Sequence, residues 1–212
     1  MEDHLLRFNK NKVFTFIDFE TSNLCLNFNN NLPWQVAMLK AKGNEILDSK
    51  NFYIKWPNGF KISQEAARIT RFSQLTMDEK GLPPEDVFPT VFDWIENCDH
   101  LIGHNLLGFD IYLIKGWYNL MGKDYRHITS KILDTLSLIK GIKFEMPYRP
   151  SDNLTEYQYR MSSQIRKNIK TNLSACGKDF GIEHDYDSLH DALVDLQLNF
   201  KVWNKLKWQV EI

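Results

Sequence analysis

Asp18 and Glu20 stand two residues apart at the end of the apolar run "FTFIDFETSN", residues 14 to 23. Successive side chains of a strand alternate between faces, so these two carboxylates share one. Two desolvated like charges at that spacing either hold a proton or enclose a cation, and a hard divalent metal with oxygen ligands suits them. By itself an Asp-x-Glu triplet is expected by chance roughly once in a chain of this length. Its place at a strand end carries more weight, because α/β folds put their sites at the rim of the sheet. A metal site there needs further ligands from elsewhere.

"LIGHNLLGFD" offers Asp110, just past a short strand and near the start of a helix, where the helix dipole favours an anion. A first-turn acid is also a common structural feature. "SLHDALVDL" offers His190 and Asp195. Ser188 and Asp191 have capping-box spacing, which predicts Ser188 as N-cap and places His190 in the first helical turn. Five residues turn a helix by about 500°, so His190 and Asp195 do not share a face. The histidine then belongs to the mobile helix end and Asp195 to its fixed interior. His104 reads as a strand-end structural residue rather than a ligand.

The elements that must position these groups follow an α/β order. The chain has 212 residues, 43% of them hydrophobic and 13% aromatic, which predicts one compact domain over residues 1–212 and argues against disorder. "KVFTFIDFE" reads as a first strand, and "WQVAMLKAKGNEILDSKNFYIKW" as two strands joined at Lys42-Gly43-Asn44. "ISQEAARI" begins a short helix that Ser63 can cap. Val87, Phe88, Val91, Phe92 and Ile95 have helical spacing, "HLIGHN" reads as a strand, "FDIYLIKGWYNLMG" as a helix closed by Gly122, and "KILDTLSLI" as a strand running into a helix. Leu189, Ala192, Leu193, Leu196 and Phe200 predict a last helix from about Ser188 to Lys207.

The formal charge is −1, and two divalent ions in a carboxylate cluster would move it to +3, so net charge neither favours nor excludes a nucleic-acid substrate. Cys25, Cys98 and Cys176 are odd in number and lack C-x-x-C spacing, which argues against a disulfide framework or a zinc site. A polar opening segment and the lack of an 18-residue apolar run predict a cytoplasmic protein without signal peptide or membrane span. The signatures of nucleotide-binding metabolic enzymes, G-x-G-x-x-G and G-x4-G-K-[ST], do not occur. Residues 145–172 form a polar, aromatic and basic excursion, with a local charge of +4 between Arg149 and Lys178. Tyr148, Tyr157 and Tyr159 there suggest either a strand-tracking surface or a solvated insertion.

Asp18-x-Glu20, Gly103-His104-Asn105 followed by Phe109-Asp110, and His190-x-Ala192-x-x-Asp195 resemble, in this order, the three motifs of the DEDDh branch of the DnaQ-like 3′–5′ exonucleases. The resemblance implies a ribonuclease-H-like fold: a five-stranded mixed sheet, its second strand antiparallel, flanked by helices. It implies that Asp18, Glu20, Asp110 and Asp195 bind two Mg²⁺ or Mn²⁺ ions, and that His190 is the general base. Four carboxylates balance four metal charges, and two metals about 3.5–4 Å apart can activate a water and stabilise a leaving oxygen. The terminal nucleotide would lie over the first motif, contacted by Thr21, Leu24, Asn105 and Phe109, with Leu24 as an apolar wedge. Asn23 stands where relatives often have glycine, and Asn tolerates the left-handed conformation. The implied activity is release of 5′-mononucleotides from single-stranded DNA or RNA 3′ ends, leaning to DNA because no RNA-binding module is visible. The alternatives are a small-RNA trimmer and a catalytically idle module that binds nucleic acid or a polymerase partner.

Overall fold

The computed structural model describes residues 5–27, 31–58 and 61–212. In chain order the elements are β1 (Val13–Thr21), β2 (Pro33–Lys42), β3 (Glu45–Ile54), α1 (Gln64–Ile69), α2 (Gln74–Lys80), β4 (Gly81–Leu82), α3 (Pro84–Glu96), β5 (His100–Gly103), α4 (Asp110–Leu120), β6 (Ile132–Asp134), α5 (Thr135–Lys143), α6 (Leu154–Ser162), α7 (Leu173–Asp179) and α8 (Ala192–Leu206). The strands form one sheet in the order β4-β3-β2-β1-β5-β6, in which β2 runs antiparallel to its neighbours and the other pairings are parallel. The antiparallel second strand is as expected, but the described residues form a sheet of six strands rather than five. The sixth, β4, is two residues that continue α2 along the edge of β3, too short to leave any periodicity in the sequence.

Alternation along β1 divides the core. Phe14 and Phe16 point to the layer of α5 and α8, whereas Ile17 and Phe19 point to the layer of α3 and α4. Asp18 and Glu20 continue the first face and therefore look toward α8. The hairpin between β2 and β3 closes through Gly43, whose φ of +61° is open to glycine at little cost. Ser63 caps α1 as expected, accepting from the Ala66 N–H.

The last helix begins later than its pattern predicts. Ser188 lies in a 3-10 turn, Tyr186–Ser188, and its hydroxyl donates to Asp185 instead of capping α8. His190 has φ +70° and so stands outside the helix. Asp191 is the N-cap, accepting from Leu193 N at 3.0 Å and Val194 N at 3.3 Å.

The excursion at 145–172 contains α6, and two of its tyrosines are structural. Tyr157 is buried and Tyr148 packs against the same core, so neither ring is free to stack on a base. Gly141 of α5 permits this approach, because a Cβ there would lie 1.7 Å from the Tyr157 hydroxyl. Fully buried Gln158 accepts from Asp134 N at 2.7 Å and donates to Ile132 O at 3.0 Å, completing the edge of β6. Tyr159 is the member of the group that stays substantially exposed.

Candidate active site

β5 pairs with β1 only as far as Phe16, so Asp18 to Thr21 project beyond their parallel neighbour and open a crevice at the rim. Asp18 is half-buried and Glu20 buried; Asp195, in the first turn of α8, meets them from the helical layer. One carboxylate oxygen from each of the three lies within 4.8 Å of the others. Asp110, the buried first residue of α4, adds its charge from the side, with the Phe19 backbone N–H facing its carboxylate.

The electrostatics of this group call for cations. Burial, then the charges of Asp110, Asp195 and Glu20, hold the Asp18 carboxyl well above its usual range. Burial followed by the charges of Asp195 and Asp110 pushes Glu20 up to about 9. Burial raises Asp110, and raises Asp195 to about 6 against the opposing effects of the His190 N–H, the His190 charge and Arg71. None of the four carboxylates forms an ion pair with a lysine or arginine among the described residues. An all-oxygen donor set that repels itself and has no ion-paired lysine or arginine among the described residues fits a hard divalent ion.

Exposed His190 donates its backbone N–H to Asp195 Oδ1 at 3.4 Å and borders two clefts. One, of about 620 Å³, is lined by Glu20, Thr21, Leu24, Ile69 and Phe109; the other, of about 530 Å³, by Lys170, Asn172, Ser174, Lys178 and Asp195. Leu24 is 86% exposed at the first of these clefts. Buried Thr21 donates its hydroxyl to Asn23 O at 2.7 Å, and Asn23 does not take a positive φ. The chain turns there by this hydrogen bond rather than through a left-handed residue.

Asn105 accepts the backbone N–H of Phe109, a residue of the first cleft, at 2.9 Å. With φ +72° it donates its N–H to Asp134 Oδ1 at 3.1 Å, within the loop that delivers Phe109 and Asp110. His104 bonds Thr135 Oγ1 at 3.1 Å and Thr171 O at 3.0 Å, and desolvation pushes it down to about 4, so it is a neutral structural tie. Asp134 was not singled out by sequence reasoning. Fully buried, it accepts from Asn105 N, Leu107 N at 2.9 Å and Ser137 N at 3.2 Å, and so fixes the loop to the start of α5. Its signal was available, since Asp134-x-x-Ser137 after the apolar run is an N-cap pattern.

An exonuclease family model, RNase_T, matches residues 15–203. No curated protein sequence matches the chain. Among solved structures, Escherichia coli exonuclease I in complex with a dA16 oligonucleotide superposes with a TM-score of 0.73 at 17% identity, over 94% of this chain and 43% of that one. The zinc-bound complex of the same enzyme with single-stranded DNA gives 0.73 at 17% identity over 94% and 41%, and the complex with a dT13 oligonucleotide 0.72 at 18% over 93% and 41%. The chain therefore spans less than half the length of these proteins, and the likeness establishes the fold, the ribonuclease-H-like arrangement of sheet and helices. With the family match running from β1 through most of α8, the chain belongs to the exonuclease family, in its DEDDh-type 3′–5′ group.

Proposed function

We propose that the protein is a metal-dependent 3′–5′ exonuclease that removes 5′-mononucleotides from single-stranded 3′ ends, with DNA as the favoured substrate. The observation that carries this reading is the meeting of Asp18, Glu20 and Asp195 within 4.8 Å, beside a cleft and an exposed histidine. These three carboxylates, with Asp110, are the ligands for two Mg²⁺ or Mn²⁺ ions. Bound there, the ions would supply positive charge at the scissile phosphate and a water acidic enough to react near neutral pH.

The chain's own residues do the rest. His190 takes the proton of the attacking water at a ring nitrogen; its exposure at the cleft mouth gives the ring access to that water. Asp195 receives the His190 backbone N–H and so helps to hold the histidine beside the cluster. Leu24 and Phe109 flank the terminal base in the 620 Å³ cleft, a volume within the range of small-ligand sites. Thr21 holds the chain turn that presents Leu24, and Asn105 holds the loop that presents Phe109. Lys170 and Lys178 line the second cleft, where they favour the phosphates of the strand. The oligodeoxynucleotides bound to exonuclease I support single-stranded DNA as the substrate class.

The test is a gel time course with 5′-labelled single-stranded DNA and RNA of one sequence, with Mg²⁺, with EDTA, and with the Asp195→Ala variant. A ladder that shortens only with metal and with Asp195 is expected, faster on DNA. Cleavage that persists in EDTA or in the variant would overturn the assignment, and a faster RNA ladder would reverse the preference.

A further inference from the structure

Arg71 occupies a position that suits glycine. α1 ends in a Schellman motif: Phe72 N donates to Ala67 O at 2.9 Å, and Arg71, between the cap Thr70 and Phe72, has φ +55°. An L-residue in this conformation costs about 1–2 kcal/mol, so its side chain needs a compensating role. The guanidinium Nη2 donates to the carbonyl of Asp187, in the 3-10 turn three residues before His190. Arg71 also lies near enough to Asp195 for its charge to act on that carboxylate. Thr70, Arg71, Gln35, Tyr53, His190 and Asp191 enclose a small cavity of about 50 Å³, so the α1–α2 turn sits directly against the corner that carries the histidine. The Phe72 ring, edge-on to Trp34 at 5.2 Å, fixes the turn from beneath.

α1 is at the same time a wall of the larger cleft, through Ala66, Ile69 and Thr70. We propose that Arg71 is a positioning residue for His190: it straps the histidine loop to the cleft wall, so that the wall that seats the terminal nucleotide and the group that takes the proton are held as one unit. This rests on the exonuclease reading of the site, and it acts through His190 without contact to the reacting atoms. His190, itself at φ +70° and outside α8, has no helix to hold it, which is why a strap from another element matters.

The experiment compares the parent chain, Arg71→Gly, His190→Ala and the double variant, reading kcat and KM on single-stranded DNA together with hydrogen exchange at residues 186–191. Glycine relieves the left-handed strain, so Arg71→Gly should fold and melt no lower than the parent. Its kcat should fall about 10- to 100-fold, the scale of a misplaced catalytic group, with KM little changed. In the His190→Ala background the same substitution should cost nothing further, and exchange at 186–191 should rise in Arg71→Gly. Parental kcat, an equal loss with and without His190, or unchanged exchange would each overturn the proposal. If the parent cleaves no substrate, the exonuclease reading fails and the exchange comparison alone judges the strap.

Discussion

At the scale of single residues, the carboxylate cluster makes stability depend on pH in a direction opposite to that of most salt-bridged acids. Glu20 near 9 and Asp195 near 6 are raised by folding, chiefly through burial. A carboxyl whose folded pKa is raised contributes stability that is present below its unfolded value, near 4, and lost as the pH rises through the folded one. The metal-free protein should therefore melt at a lower temperature at pH 9 than at pH 5. Mg²⁺ should raise the melting temperature more at pH 9 than at pH 5, because protons compete with it at the lower pH. Calorimetry in EDTA and in Mg²⁺, on the parent and on Asp18→Asn, checks this. The variant should show a shallower decline, and an equal slope would mean that the cluster does not set the dependence. His190→Ala, assayed under single-turnover conditions, should cost about 10²–10⁴ in rate, the usual worth of a general base, with the fold unchanged since the ring is exposed.

At the scale of elements, the start of α8 decides where Asp195 stands. Asp191 satisfies two N–H groups at the helix start, and Asp195 N bonds back to Asp191 O at 2.9 Å, so the cap and the proposed ligand share one turn. Asp191→Ala should lower stability by about 1 kcal/mol, or roughly 2–4 °C in melting temperature, and weaken activity by fraying that turn. Asp191→Asn keeps the acceptor and should retain the stability. Thermal melts of both variants in EDTA distinguish loss of the cap from loss of a charge, because only the alanine variant should be destabilised.

At the scale of the molecule, the site depends on a chain of support that runs outward to the sheet edge. Gln158 on α6 closes β6, Asp134 at the end of β6 holds the loop at 105–107, and that loop leads into Asp110. Gln158→Ala leaves a buried N–H and a buried C=O without partners, at a cost of roughly 1–3 kcal/mol for each. The expected outcome is a melting temperature lower by several degrees, with faster hydrogen exchange at Asn105 and Leu107, far along the chain from the substitution. A change confined to α6 would show that the excursion is independent of the site.

The residue types and spacing of the three motifs, the alternation that puts Asp18 and Glu20 on one face, and the identities of most helices and strands were determined by the sequence, because periodicity and caps are local properties. The tertiary structure decided what local pattern cannot encode. Capping-box spacing predicted Ser188 as the cap of α8, and Asp191 took that place because Asp185 engages Ser188 and the chain turns at His190. Tyr157 read as a possible stacking surface and became core because Gly141 leaves it room. The two-residue strand β4, the buried anchor Asp134 and the tie from Arg71 to Asp187 all depend on partners distant in sequence. The convergence of Asp195 on Asp18 and Glu20 is of the same kind, since 174 residues lie between Glu20 and Asp195, and only packing of α8 on β1 brings them within reach of one ion.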